Sequence, residues 1–390
     1  MELTAEQEAI RDVVREFATE ELKPRAAEAD RTQTFPEEVW DELSELDLTG
    51  LTVPEEYGGF DADRTTYSLV NEEVAYGHLS VATALSVHCL ATSCISQFGS
   101  EEIKDRWLPE MVSGRPVGAF ALSEPEAGSN PAELSTRAER DVSEPRSDGQ
   151  REVTTASRDG EEYVVNGKKQ WITNGSRAGV VILFAKTGEG EVTQFLVPAD
   201  SEGLEVGKKE EKLGLRASDT TALLFDDVRI PAENRLTEEG RGLSAALSIL
   251  TGGRIGIASQ AVGLAQAAMD DSLAYAGERE QFSGPIGGIQ TIQHKLAEME
   301  TKLRAARLLT REAARKEDSG ADPRLDASIA KYFASEAAME ITNEAVQIHG
   351  GAGYTTDFDV ERYYRDAKIT TIYEGTSQIQ KNVIARKLLN

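Results

Sequence analysis

The chain has 390 residues, 39% hydrophobic and 28% charged, a balance that supports a large buried core and excludes low-complexity disordered and fibrous classes. Its 68 acidic against 42 basic side chains give a formal charge of -26, which repels phosphate and argues against nucleic acid or an anionic membrane as the main partner. The acids are spread along the whole sequence, as on a solvated acidic surface of the kind common in salt-loving organisms.

Met1 to Gln7 carry neither a basic cluster nor an apolar run, so neither a secretory signal nor a transit peptide is expected. Thr4-Ala5-Glu6-Gln7 reads as a capping box, and Ile10, Val13, Val14 and Phe17 follow at helical spacing toward Leu22 and Pro24. Helical patterns then cover Glu37 to Leu46, Asp63 to Phe98 and Glu101 to Met111, broken by the turn-rich run from Val53 to Gly59. Residues 1–116 are thus expected to form an α-helical domain. Cys89 and Cys94, on one of these helices, read as small buried hydrophobes without a disulfide framework, which fits a cytoplasmic location. No uninterrupted apolar stretch reaches bilayer length, so no membrane span is expected.

From Val117 the texture changes to short β-rich runs at Tyr163-Val164-Val165, Val180 to Phe184, Gln194 to Val197 and Ala222 to Phe225, punctuated by Gly, Asn and Asp. No long helical pattern separates them, so residues 117–235 are expected to form an antiparallel β domain. Within it, residues 141–158 are polar and strongly charged and read as a mobile surface insertion. Residues 236–390 return to long Ala- and Leu-rich helical patterns, at about Leu243 to Arg279, Gln290 to Asp318, Pro323 to His349 and Ser377 to Leu389, as in a helical bundle. The four histidines are scattered with no metal-ligand spacing, so no metal is expected.

A nucleotide cofactor, if used, must be held without a Rossmann or Walker loop, because Gly350-Gly351-Ala352-Gly353 follows a helix rather than a strand. Four segments stand out together: Phe120-Ala121-Leu122-Ser123-Glu124-Pro125-Glu126-Ala127-Gly128-Ser129, Lys169-Gln170-Trp171-Ile172-Thr173-Asn174-Gly175, Gln347-Ile348-His349-Gly350-Gly351-Ala352-Gly353-Tyr354, and Arg365 to Ile369 running into Ile372-Tyr373-Glu374-Gly375-Thr376-Ser377. In these segments, in this order, the sequence resembles the acyl-CoA dehydrogenase family. Gly253-Arg254-Ile255-Gly256-Ile257-Ala258-Ser259-Gln260 is similar to the short-chain, butyryl-type members.

The resemblance implies an α-helical domain, a central β domain and a C-terminal four-helix bundle, matching the α, β, α texture read above. It implies FAD as cofactor and acyl-CoA as substrate, with an electron-transfer flavoprotein as acceptor and a homotetramer, a dimer of dimers, as the assembly. Phe120, Leu122, Ser123, Gly128 and Ser129 would line the flavin, Ser129 also lying near the thioester. Trp171, Ile172 and Thr173 would form the second flavin strand, and Thr376, Ser377 and Gln378 would also contact the cofactor. Arg279, Phe282, Gln290, Gln347, Ile348, His349, Gly350 and Gly351 correspond to positions that reach the FAD of a neighbouring subunit, Arg279 supplying a cation for the pyrophosphate. Arg254 and Gly375 would contact the substrate.

Taken alone, a glutamate before a helix simply faces its positive end. The resemblance makes Glu374 the catalytic base that removes the α proton of a short- to medium-chain acyl-CoA as hydride leaves the β carbon for flavin N5, giving the trans-2-enoyl thioester of fatty acid β-oxidation. Its backbone N–H would help bind the emerging enolate. Ser377-Gln378-Ile379-Gln380 reads as a second capping box that fixes Glu374 on the loop before a helix. Some relatives place the base on the helix holding Gly253 and Arg254, but Leu250-Thr251-Gly252-Gly253-Arg254 contains no carboxylate. Thr251 stands where an Asp often helps Arg254 bind the pantetheine arm. Two alternatives share the scaffold: a non-catalytic flavin-binding assembly factor, against which Glu374 argues, and an acyl-CoA oxidase, which usually carries a further C-terminal domain.

Overall fold

The first helix begins where its capping box places it: the Gln7 N–H donates to the Thr4 hydroxyl at 3.1 Å and the Thr4 N–H to the Gln7 side chain at 3.2 Å. The structure, a computed structural model, describes residues 3–141 and 162–389; the expected insertion lies outside the described residues beyond Asp141. Six helices come first: α1 (Ala5–Phe17), α2 (Lys23–Thr32), α3 (Glu37–Glu45), α4 (Arg64–Gly77), α5 (Leu79–Phe98) and α6 (Glu101–Val112). The single helical pattern expected from Asp63 to Phe98 is two helices, because His78 is extended, with φ -157° and ψ 102°.

By length and composition α5 could cross a bilayer, with a mean hydropathy of 1.5 over its most apolar window. It is instead a core helix, buried against α4, α6 and the strand that follows them, so the interior accounts for its apolar character.

The central sheet contains β1 (Val117–Ala121), β2 (Arg137–Asp141), β3 (Glu162–Thr173), β4 (Ala178–Gly188), β5 (Glu191–Pro198), β6 (Leu204–Val206) and β7 (Thr220–Pro231), ordered β1-β4-β2-β3-β7-β6 with β5 also on β4. It is antiparallel at β2–β3, β3–β7, β4–β5 and β6–β7. β1 and β2, however, run parallel to β4. The sheet is therefore mixed, since no tight turn joins those pairs and forces an antiparallel return.

The long helix α7 (Gly242–Glu278) is followed by a short hairpin, β8 (Glu280–Gln281) and β9 (Gly284–Pro285), then α8 (Gln290–Asp318), α9 (Arg324–His349), α10 (Val360–Thr370) and α11 (Ser377–Leu389). α7 packs against α4 at backbone distance: a Cβ on Gly263 would stand 2.0 Å from the Glu72 carbonyl oxygen. One apolar core joins α4, α7, α8 and α9 with the N-terminal helices, a second lies between α5, α6 and the sheet, and a third fills the other side of the sheet.

Candidate active site

The first two motifs meet at the edge of the sheet. The Gln170 N–H donates to the Ser123 carbonyl at 2.9 Å, tying the Leu122–Ser129 loop to β3. Beneath it lies a buried ion pair, in which the Lys169 ammonium donates to Glu124 at 2.7 Å and to the Leu122 carbonyl at 3.2 Å. Glu124 also accepts from the Ser135 N–H and hydroxyl and from the Thr136 N–H, at 2.6, 2.7 and 3.0 Å. Burial would raise its pKa, but Lys169 and these donors outweigh burial and hold it down to about 2.

The register of β3 shifts between Lys169 and Ile172, and at this bulge Trp171 takes φ 63° with 58% of its surface exposed. A left-handed tryptophan presented to solvent is costly twice over, and such strain concentrates at functional positions. Ile172 points into the core, and Thr173 and Ser123 are half-buried beside it. Phe120 packs on Phe184 at 4.9 Å, and a Cβ on Gly128 would meet nothing within 4 Å. An exposed indole on the strand tied to this loop suits a flat aromatic cofactor such as a flavin.

Glu374 sits between α10 and α11 in a left-handed conformation, φ 53°, followed by Gly375 at φ 88°. The residue as a whole is half-buried, while its Oε2 is enclosed without a hydrogen-bond partner. Burial pushes its carboxyl up to about 7, against the opposing pull of Arg254 and Lys331. No described residue accepts from the Glu374 N–H. Arg254, on α7, is buried to 8% exposure with an unpartnered Nε and no ion pair to a described residue. Thr251 does not stand in for a carboxylate there, because its hydroxyl donates back to the Leu247 carbonyl at 3.0 Å.

A Cβ on Gly253 would lie 2.9 Å from Glu374 Oε2 and 3.4 Å from Leu90 Cδ2. A carboxylate on that turn of α7 would thus reach the same point in space, and the glycine leaves it to Glu374. Gly253 and Leu90 also wall a cavity of about 120 Å³ between α4, α5 and α7, lined further by Tyr67, Cys89 and Ser93. Cys89 is buried, which pushes its thiol up to about 12 and keeps it neutral.

The second capping box forms differently from the expectation. The Thr376 hydroxyl accepts from the Ile379 N–H at 3.3 Å, while the Ser377 hydroxyl donates to Glu336 at 2.6 Å. The Gln380 amide turns to the carbonyls of Glu374 and Gly375, at 3.2 and 2.9 Å. Lys331, fully buried on α9, donates to the same Gly375 carbonyl at 2.8 Å. The sequence marks Gln380 only as part of the capping box, and no motif marks Lys331. The signal for Lys331 is its place on a helix face with Ala327, Ala334, Ser335 and Ala338, all buried. Gln378 is exposed.

The remaining expected residues gather at the opposite end of α9. Lys331 and Gln347 are sixteen positions apart, roughly 24 Å along the axis. There His349 stacks on Tyr275 at 4.2 Å, bringing the end of α9 to the end of α7 and its hairpin. Arg279 and Gln290 are exposed, and Phe282 is 93% exposed at φ 53°. Gln347, Gly350 and Gly351 face solvent, whereas Ile348 and His349 are buried, so the imidazole serves packing within this chain.

Helices packed on one face of a mixed sheet, a left-handed, exposed Trp171 on the strand tied to the Leu122–Ser129 loop, and a Glu374 carboxyl whose Oε2 has no partner among the described residues are the site features that a redox enzyme binding a flat cofactor would need. Models of the acyl-CoA dehydrogenase N-terminal, middle and C-terminal domains match residues 4–115, 119–228 and 240–389. The chain is 43% identical over 394 residues to the mitochondrial short-chain specific acyl-CoA dehydrogenase of Rattus norvegicus, covering 100% of this chain and 91% of that protein. Butyryl-CoA dehydrogenase of Megasphaera elsdenii superposes with a TM-score of 0.93 at 39% identity, each chain covered to 100%. A chain from a structural study of the electron transferring flavoprotein of Acidaminococcus fermentans and flavin-based electron bifurcation gives a TM-score of 0.93 at 38% identity, covering 100% of this chain and 99% of that one. The chain belongs to the acyl-CoA dehydrogenase family. It is an enzyme, and the family implies a flavin cofactor and an acyl-CoA substrate.

Proposed function

We propose that the protein is an FAD-dependent dehydrogenase of short- to medium-chain acyl-CoA, with Glu374 as the α-proton base. The observation that carries this reading is the enclosed, unpartnered Oε2 of Glu374 beside the cavity walled by Gly253 and Leu90. A carboxyl raised to about 7 is a stronger base than a solvated one, yet remains partly ionised at neutral pH. Arg254, with no ion-pair partner among the described residues, favours the anion and offers positive charge to an anionic thioester ligand. The free N–H of Glu374 is a donor for the oxygen that becomes negative as the α proton leaves.

FAD would be held by the Phe120–Ser129 loop and the Trp171–Thr173 bulge, where it supplies the two-electron acceptor for the hydride lost from the β carbon. The cavity, about 120 Å³ and edged by the charged Arg64 and Glu317 as well as by Leu90 and Tyr67, leaves room for no more than a short acyl group. The names of the rat and Megasphaera relatives point to the same substrate class. An electron-transfer flavoprotein as acceptor fits the Acidaminococcus relative. A homotetramer, a dimer of dimers working in fatty acid β-oxidation in the cytoplasm, completes the reading.

Anaerobic mixing with butyryl-CoA tests it. The flavin absorbance of the native protein is expected to bleach, and that of Glu374→Gln to persist. Persistent oxidised flavin in the native protein with short, medium and branched acyl-CoAs would instead favour a non-catalytic flavin scaffold.

A further inference from the structure

Two consecutive left-handed residues, Glu374 at φ 53° and Gly375 at φ 88°, turn the chain between α10 and α11. Glycine adopts this conformation freely, but for glutamate it costs about 1–2 kcal/mol and must be imposed by its surroundings. The restraint falls on the two carbonyls. The Gln380 amide donates to both, and the Lys331 ammonium donates to that of Gly375 at 2.8 Å. Both donors are 0% exposed.

Lys331 is an expensive way to make one hydrogen bond. An ammonium buried without a carboxylate in ion-pair contact carries a desolvation cost of several kcal/mol, and an apolar side chain on this face of α9 would pack without it. Among the described residues its hydrogen-bond acceptor is the Gly375 carbonyl, and the carboxylates whose charge it feels are Glu374 and Glu336. The same helix fixes the start of α11 through Glu336, which accepts from the Ser377 hydroxyl at 2.6 Å. A rigid core helix therefore grips the loop at two points and brings a positive charge close enough to act on its carboxylate.

We propose that Lys331 is a positioning residue for the reaction: it locks the Glu374-Gly375 turn through the Gly375 carbonyl, and its charge keeps the Glu374 carboxylate in its ionised, basic form. The proposal rests on Glu374 being the base. The groups facing that carboxylate are Arg254 from α7, Lys331 from α9, Tyr67 from α4 and Tyr373 in its own segment. Both tyrosines are held neutral by burial, so the two cations alone favour the anion.

Flavin-loaded Lys331→Met and Lys331→Gln proteins, compared with native protein and Glu374→Gln, provide the test through anaerobic bleaching by butyryl-CoA across pH. The methionine variant loses both hydrogen bond and charge, and is expected to slow bleaching at saturating butyryl-CoA by roughly 10²-fold with the half-saturating concentration changed less than about threefold. The glutamine variant, whose amide still donates, is expected to recover most of that rate. In both, the acidic limb of the pH profile moves up by roughly one unit, because a cation that favours the carboxylate is gone. A native-like limb in the glutamine variant overturns the charge role even if the methionine variant fails to fold, and native-like saturated rates in both overturn the positioning role. Bleaching lost in Glu374→Gln but native-like in both Lys331 variants sinks this proposal alone, whereas bleaching retained in Glu374→Gln sinks the base assignment and this proposal with it.

Discussion

Under the proposed function, Tyr67 is a side chain that would bound the substrate. It is 2% exposed on α4, its hydroxyl lies 3.1 Å from the Ser86 hydroxyl, and the Arg64 guanidinium stands 4.8 Å from its ring. A Cβ on Gly256 would come within 2.7 Å of the same hydroxyl, so the ring already fills the space α7 leaves open. Tyr67 lines the cavity whose Gly253 wall approaches Glu374, so under the proposed function it would limit how far an acyl chain extends. Tyr67→Ala is expected to move the preferred substrate from butyryl-CoA toward hexanoyl- or octanoyl-CoA, with a stability loss of about 3–5 kcal/mol for the large-to-small change. Tyr67→Phe keeps the volume and is expected to retain the native chain-length profile. Flavin bleaching by acyl-CoAs of graded length reads both, and an unchanged preference in Tyr67→Ala removes Tyr67 from the specificity argument. Nothing in the local sequence marks this tyrosine, since its role comes from α5 and α7 closing around it.

Elements, rather than single residues, assemble the cofactor side. The Leu122–Ser129 loop is held to β3 by one backbone hydrogen bond and by the Lys169–Glu124 pair, whose side chains are 0% and 1% exposed. Lys169→Met leaves Glu124 a buried anion without its cation, and is expected to cost about 3–5 kcal/mol in denaturant unfolding and to weaken flavin retention. The double variant with Glu124→Gln is expected to recover part of that loss; no recovery would show that Lys169 acts mainly through the Leu122 carbonyl. Glu124 is held below its unfolded pKa, so its stabilising share is present above roughly pH 4.5 and lost as pH falls toward 2. The motifs on both elements were legible in sequence, and so were the long helices, because apolar spacing and capping are local signals. The bulge that turns Trp171 outward was not, since it depends on how β3 registers with β7. For the same reason the second capping box misassigned Gln380: the helix start was right, but the amide is claimed by carbonyls that only the folded turn brings near.

At the scale of the whole molecule, beside the sheet-edge motifs, the expected site residues of the C-terminal helices fall into two groups at opposite ends of α9. Glu374 and its supports lie near Lys331, while Arg279, Phe282, Gln290 and the exposed backbone of Gly350 and Gly351 lie roughly 24 Å away by helix geometry. A single chain cannot close both ends on one cofactor ring. Yet Phe282 is 93% exposed and Tyr354 88% exposed at that far end, and aromatic surface of this kind marks contact with another molecule. If a neighbouring subunit is that molecule, each catalytic centre combines Glu374 from one chain with Arg279 from another, and the two functions can be separated by mixing. Arg279→Glu alone is expected to lose FAD, and Glu374→Gln alone to keep FAD without bleaching. Co-expressed and purified as mixed oligomers with two different affinity tags, the pair is expected to regain butyryl-CoA bleaching. An interface joining an Arg279→Glu chain to a Glu374→Gln chain contains one centre with both native residues and one with neither. If Arg279 serves its own chain, every centre carries one defect and mixing restores nothing.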